Sequence, residues 1–165
     1  MRDNLYKKIG EEDEDKAEDL LHHFVKRENN QYSYQNCLVA EDGGEIVGAV
    51  NIYDGAKLHE LREPIKLYIK THYNADFAPE DETQAGEYYI DSVGVNPKCQ
   101  GTGVGTKMLE FVVDEYVKKR KEILGLLVDE DNAAAKALYA KVGFRPVGEI
   151  SLRGIKMKRL QVRPS

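Results

Sequence analysis

The sequence predicts a mixed α/β fold in which helices and strands are arranged around one sheet. Three kinds of segment alternate along the chain: amphipathic stretches with helical spacing, apolar runs of strand length, and turns rich in glycine. The turn at residues 42–44, Asp-Gly-Gly, joins two strand-like runs and predicts a hairpin. Neither a repeat nor a second domain is evident, so we expect residues 1–165 to form one domain.

Each element is predicted from its own residue pattern. Apolar residues repeat at helical spacing in four stretches, which are residues 15–29, 57–73, 104–120 and 132–142. Runs typical of strands occur at residues 36–40, 45–52, 88–95, 124–128, 144–150 and 155–162. Pro64 is expected to bend or split the second helix, and Gly143 stands where glycine commonly ends a helix. The polar, acidic residues 74–86 are predicted to form a surface linker.

Composition excludes several classes of protein. With 165 residues, 41% of them hydrophobic and 32% charged, the chain resembles a globular domain rather than a disordered one. A net charge of −5 argues against binding to nucleic acid. The sequence shows neither a membrane-length apolar stretch nor an export signal, so we expect a cytoplasmic protein without a membrane partner, and a homodimer is left open. The spacing of Cys37 and Cys99 predicts neither a disulfide nor a metal site.

A glycine-rich loop, Gln-Gly-Thr-Gly-Val-Gly-Thr at residues 100–106, lies between a predicted strand and an amphipathic helix. Amides at such a helix start bind phosphate oxygens, and glycine lets the backbone approach an anion closely. A Walker loop requires glycine before its lysine and serine or threonine after it, whereas Lys107 stands between Thr106 and Met108. A dinucleotide fingerprint that begins at Gly101 has Thr106 in place of its last glycine. Neither motif fits.

The pattern Gln-x-x-Gly-x-Gly at Gln100, Gly103 and Gly105, preceded by Val-Gly-Val-Asn-Pro, resembles the coenzyme A loop of the GNAT superfamily of N-acetyltransferases. Residues 132–144, which end in Leu-Tyr-Ala-Lys-Val-Gly-Phe, are similar to the second cofactor segment of the same superfamily. The resemblance implies a mostly antiparallel central sheet flanked by helices, with acetyl-CoA as co-substrate and no metal. The usual N-terminal strand is not visible; it is either missing or replaced by residues 5–9.

The resemblance also implies which residues hold acetyl-CoA. The main chain of Val93 and Val95 is expected to pair with the pantetheine arm, and one amide there polarises the thioester carbonyl. The glycine-rich loop is expected to hold the diphosphate, while Asn132 contacts the pantetheine. The residues implied to bind the cofactor are Val93, Gly94, Val95, Gln100, Gly101, Thr102, Gly103, Val104, Gly105, Thr106, Asn132 and Tyr139.

Three residues are candidates for catalysis. Tyr139 follows Asn132 by seven residues, hence on the same helix face, and its phenol, with an ordinary pKa of about 10, is a candidate general acid for the leaving thiolate. An ordinary core tyrosine is the alternative. Asp91 matches an acidic position used by some aminoglycoside acetyltransferases of the superfamily, which makes it a candidate base; a substrate-binding carboxylate or a polar strand residue explains it equally well. Other members place a glutamate where Tyr89 stands, so Glu87 is the fallback base.

Together these features predict an N-acetyltransferase that moves an acetyl group from acetyl-CoA directly to a primary amine of a small molecule or peptide. Two alternatives stay open. One is a regulatory module that binds acyl-CoA without catalysis. The other is a nucleotide-binding protein that uses the glycine-rich loop for ATP or NAD.

Overall fold

The computed structural model of the protein describes residues 14–165, which form two compact units. The first unit comprises residues 14–37 and 57–79, and the second comprises residues 38–56 and 80–165. The expectation about a strand at residues 5–9 lies outside the described residues. Within residues 14–165, no helix combines the length and the apolar character needed to cross a bilayer.

The first unit contains helices α1 (Glu14–Val25) and α2 (Leu58–Tyr73). Its core consists of Ala17, Leu20, Phe24, Ile65, Ile69 and Phe77. The α1 stripe was predicted, but Val25 is 41% exposed and the helix ends there, four residues before its predicted end. Pro64 lies inside α2 and does not split it, and buried residues occur on both sides of the proline. Residues 74–84 are irregular as predicted, although Phe77 and Thr83 are buried rather than on the surface.

The second unit contains the sheet. Its strands are β1 (Cys37–Asp42), β2 (Glu45–Asp54), β3 (Tyr88–Val95), β4 (Leu124–Asp129), β5 (Arg145–Leu152) and β6 (Ile155–Val162), in the spatial order β1-β2-β3-β4-β6-β5. β2 pairs antiparallel with β3, as β6 does with β4 and β5, whereas β3 and β4 are parallel. The predicted mixed, mostly antiparallel sheet is confirmed. A two-residue turn joins β1 to β2, and both of its glycines, Gly43 and Gly44, have positive φ.

Two helices complete the second unit: α3 (Val104–Val113), which continues as a π-helix over Asp114–Lys119, and α4 (Ala133–Val142). Apolar spacing predicted the whole stretch but did not separate its α-helical from its π-helical part. The core combines the buried faces of β2, β3, β4, β6 and α3 with Phe144 after α4. Leu138 and Val142 of α4 pack against this core. Gly143, with φ 115°, ends α4 in the left-handed conformation.

Candidate cofactor and catalytic site

The glycine-rich loop leaves an open surface at the start of α3. A side chain that begins at Gly101 or Gly103 would meet no protein atom within 4 Å, and both residues have positive φ, 77° and 88°. The Thr102 hydroxyl donates a hydrogen bond to the Cys99 carbonyl at 2.6 Å, which restrains the loop. The glycines are therefore required by the backbone conformation, and the space above them is available to a ligand.

The first turn of α3 offers amide donors to this space. Gly103, the residue before the helix, provides no side-chain cap, and the first intrahelical bond in this turn runs from the Lys107 amide to the Gly103 carbonyl at 3.0 Å. The amides of Val104, Gly105 and Thr106 precede that bond and have no intrahelical acceptor. They lie at the positive end of the helix dipole, where anions are stabilised. The residues present thus fit a diphosphate.

The two parallel strands in front of this loop diverge. β3 pairs with β4 at three positions only, Tyr88 with Leu124, Tyr89 with Gly125 and Ile90 with Leu126. Both strands continue beyond the last pair, β3 to Val95 and β4 to Asp129. Past that pair, β3 remains bonded to β2 on its other side. The sheet is therefore open toward β4 at Val93, Gly94 and Val95, where an extended ligand can pair with the backbone.

A β-bulge marks the point of divergence. Asn51 of β2 pairs with Ser92, and the next residue, Ile52, pairs with Ile90, so Asp91 is the extra residue. Bulges change the direction of a strand and are common beside active sites. Asp91 is half-buried, and its charge is one of those that raise the pKa of Tyr89 after the larger effect of that residue's own burial. The candidate base thus lies at the mouth of the opening.

Tyr139 of α4 is half-buried in the second unit. Its ring packs edge-on against Phe144, with the ring centroids 5.8 Å apart. Burial raises the pKa of the Tyr139 phenol from its usual value near 10. The side chain is therefore protonated at neutral pH, which suits a proton donor and not a proton acceptor.

Asn132 has a structural role that the sequence analysis missed. It precedes the first residue of α4, and its Oδ1 accepts a hydrogen bond from the Ala135 amide at 3.0 Å, so Asn132 caps the helix. Asparagine is among the preferred residues at that position, which is the signal that identifies such a cap in a sequence. With Oδ1 engaged, the Nδ2 donors are the part of this exposed side chain that is suited to a ligand.

Glu87 lies in a setting that does not favour the base role. Its side chain is 2% exposed, and Oε1 accepts hydrogen bonds from Thr83 at 2.7 Å and from Arg159 at 2.9 Å. Gln161 donates to Oε2 at 2.6 Å. A base must reach the proton that it removes, whereas this carboxylate is committed to neighbours inside the protein. Arg159 and Gln161 come from the end of the chain, and no local sequence pattern connects them with Glu87.

A groove of about 530 Å³ lies between α4 and the β5–β6 hairpin, and none of the predicted site residues lines it. Its floor includes Phe144 and Leu160. Two lysines, Lys136 and Lys158, line it, and Lys158 is paired with Glu149 and, at 3.0 Å, with Glu130. Among the described residues, no group of three or more His, Cys, Asp and Glu side chains is placed to hold a metal ion.

Comparison with known proteins identifies the class. The model of the acetyltransferase (GNAT) family matches residues 3–144, and the chain belongs to that family. The predicted resemblance is confirmed.

Among curated relatives, N-alpha-acetyltransferase RimI of Mycobacterium tuberculosis is 42% identical over 62 residues, which are 38% of this chain and 37% of the relative. A mycothiol acetyltransferase of Renibacterium salmoninarum is 39% identical over 67 residues, 41% of this chain and 19% of the relative. The chain thus matches well under half the length of these relatives.

Solved structures match over more of the chain. A crystal structure of an acetyltransferase is 30% identical with a TM-score of 0.78, covering 95% of this chain and 85% of that one. An N-acetyltransferase from Staphylococcus aureus Mu50 is 25% identical with a TM-score of 0.79, covering 90% and 81% of the two chains.

Proposed function

We propose that the protein is an N-acetyltransferase that transfers the acetyl group of acetyl-CoA directly to a primary amine of a small molecule or peptide. The observation that carries the proposal is the divergence of β3 from β4 together with an uncapped helix start beside the end of β3, where a Cβ at Gly105 would lie 3.4 Å from the Val95 side chain. One continuous opening thus offers strand backbone at one end and helix amides at the other. Acetyl-CoA, an extended molecule with a diphosphate, matches both ends, and when bound it supplies an activated acyl thioester.

The cofactor roles follow from position. The amides of Val104, Gly105 and Thr106, with the loop from Gln100 to Gly103, hold the diphosphate. The backbone of Val93 and Val95 pairs with the pantetheine arm, and one of these amides polarises the thioester carbonyl as an oxyanion donor. Asn132 adds its Nδ2 donors from the start of α4.

The catalytic roles follow from protonation. Tyr139 donates its proton to the departing thiolate, since burial keeps the phenol protonated. Asp91, at the bulge where the opening begins, accepts a proton from the incoming ammonium, directly or through water. An ordinary amine has a pKa of about 10 and is mostly protonated at pH 7, so a base is needed to remove a proton before the nitrogen can attack.

The acceptor class has support from the relatives. One relative is named an N-alpha-acetyltransferase and another a mycothiol acetyltransferase, so the family includes enzymes named for different acceptors. We assign this chain a primary amine because one relative is named for N-alpha-acetyl transfer, and because an ammonium that loses one proton to Asp91 becomes a neutral amine able to attack the thioester carbonyl.

A panel of amines assayed by release of free thiol from acetyl-CoA tests the proposal. The panel contains polyamines, amino-acid amides and peptides with either a free or a blocked N-terminus. We expect thiol release with at least one free amine, formation of its N-acetyl product by mass spectrometry, and none with the matched blocked compound. Tight binding of acetyl-CoA without transfer to any amine would instead favour the regulatory module. Stronger binding of ATP or NAD than of acetyl-CoA would favour the nucleotide-binding alternative.

A further inference from the structure

The hydrogen bonds of the Glu87 carboxylate reach across one strand of the sheet, β4, to residues of β6. Glu87 directly precedes β3, its partners Arg159 and Gln161 belong to β6, and β4 lies between those two strands. We call the contacts of Glu87 with Arg159 and Gln161 the bridge. It crosses β4 at Gly125, where any Cβ would overlap the Glu87 carboxylate. Gly125 pairs with Tyr89 on one side and with Gln161 on the other. One side chain therefore ties three neighbouring strands together at a single level of the sheet.

The same residue is held from its other side. Thr83 donates to the carboxylate, and the Glu87 carbonyl accepts a hydrogen bond from the Gly55 amide at 2.8 Å. A side chain at Gly55 would overlap the backbone of Gln84. The segment that leads into β3 is therefore fixed at its backbone and at its side chain.

The location of this bridge gives it a consequence for the opening. The β3–β4 ladder has only three pairs, and Gly125 takes part in the middle one. β2 holds β3 at seven positions, but the three pairs with β4 give few hydrogen bonds to fix β3 relative to that strand, and a slip by one residue would turn every side chain of β3 to the other face. The divergence begins directly after the third pair, so an error in register would displace Asp91, Val93 and Val95 together.

A buried ion pair is a costly way to gain stability, because loss of hydration offsets most of the attraction. It is an effective way to specify geometry, because a buried carboxylate and guanidinium each need all their hydrogen bonds satisfied. The Glu87 side chain is 2% exposed and that of Arg159 is 16% exposed, so both are largely removed from water. Apolar residues of the same size would fill this space without selecting one register.

We propose that Glu87 is a positioning residue: held by Arg159 and Gln161 across Gly125, it sets the register of β3 on β4 and thereby places the cofactor-facing residues 91–95. Its effect on turnover rests on the proposed function. Its effect on β3 does not. Glu87 touches neither substrate nor cofactor in this role.

Two substitutions remove the bridge in different ways. Glu87→Gln keeps the shape and removes the charge, whereas Gly125→Ala keeps the charge and displaces the carboxylate. Val117→Ala is the matched control, because Val117 is a buried core residue on the π-helix, at the other end of the helical segment from the glycine-rich loop. All three variants are compared at the same interval below their own melting temperatures.

Hydrogen exchange of the β3 amides in the free protein is the first measurement. We expect exchange to accelerate on the order of tenfold in Glu87→Gln and Gly125→Ala, relative to Val117→Ala. The second measurement is kcat/KM for acetyl-CoA as a function of pH. We expect kcat/KM to fall about 100-fold in both bridge variants, as it does when a reacting group is misplaced. The midpoints of the pH profile of kcat/KM should stay unchanged.

Two outcomes would overturn the inference. One is β3 exchange in Glu87→Gln equal to that in the Val117→Ala control. The other is loss of the acidic limb of the pH profile in Glu87→Gln, which would make Glu87 the base. If the wild-type protein fails to bind acetyl-CoA, the proposed function is wrong, and the exchange comparison alone decides the positioning role.

Discussion

The two halves of β3 have opposite surroundings. Its first half, at Tyr88, Tyr89 and Ile90, is paired with strands on both sides and follows an anchored carboxylate. Its second half, from Ser92 to Val95, is bonded to β2 and faces an opening on the β4 side. The change occurs at one bulged residue, Asp91. The open half therefore depends on the closed half, because a sheet can separate at a defined residue only if the strands are fixed just before it.

Tyr139→Phe tests the chemistry assigned to the open half and is expected to have the largest effect. Without the phenolic proton, kcat should fall on the order of 1,000-fold, while the dissociation constant for acetyl-CoA stays unchanged because the ring is kept. Steady-state kinetics and calorimetric titration measure the two quantities. Tyr116→Phe is the control, since Tyr116 is a buried tyrosine of the same unit that packs against Tyr88. Full turnover in Tyr139→Phe would remove this residue from the mechanism.

Gly103→Val tests the loop at the far end of the opening. Valine at φ 88° is strained, and its side chain would occupy the space assigned to the diphosphate, so affinity for acetyl-CoA should fall by about 100-fold. Gly154→Val is a matched control: Gly154 has φ 78° and equally open space, but it lies in the β5–β6 turn. The control should lose stability and keep its affinity. Equal affinities in both variants would show that the loop does not hold the ligand.

Two substitutions of Asn132 distinguish its role as the cap of α4 from its proposed role in binding acetyl-CoA. Asn132→Ala should cost about 1 kcal/mol of stability through loss of the cap, whereas Asn132→Asp should retain the cap. Both variants lack the Nδ2 donors, so both should raise KM for acetyl-CoA by roughly threefold to tenfold. Chemical denaturation and steady-state kinetics report the two effects. A KM equal to that of the wild type in Asn132→Asp would restrict Asn132 to capping.

The smallest expected effect concerns the pH dependence of kcat, which tests the role of Tyr139 as the general acid. The acid form is the active one, and burial raises its pKa, so activity due to Tyr139 is present below pH 10 and is lost only as the pH rises through the higher folded-state value. The profile of kcat should therefore show no basic limb from this group between about pH 7 and 9.5. A basic limb centred below pH 9 that disappears in Tyr139→Phe would contradict the raised pKa.

The sequence reveals the open half of the site better than the closed half. The loop from Gln100 to Thr106 is contiguous and uses backbone groups, so its glycine spacing, together with the segment at residues 132–144, was enough to predict it as the cofactor loop. The bounds of β3 were likewise predicted correctly, since its apolar run ends at Asn96 and Pro97. The divergence of β3 from β4 is a property of strand pairing, and no local pattern encodes it.

Glu87 illustrates why the closed half of β3 could not be predicted from the sequence. The sequence shows a carboxylate near the start of a strand, which made a fallback base reasonable. Its actual setting depends on Arg159, 72 residues away, and on the missing side chain of Gly125. Only the tertiary fold brings these residues together, and they leave the Glu87 carboxylate buried and hydrogen-bonded at both oxygens.

A crystal structure of the protein with acetyl-CoA would show whether the opening beside β3 and the glycine-rich loop hold the cofactor. We predict that the diphosphate lies on the amides of residues 103–106 and that the pantetheine arm enters the opening between β3 and β4, with hydrogen bonds to the backbone of Val93 and Val95. Acetyl-CoA bound elsewhere, for example in the groove beside α4, with the glycine-rich loop facing only solvent, would contradict the account.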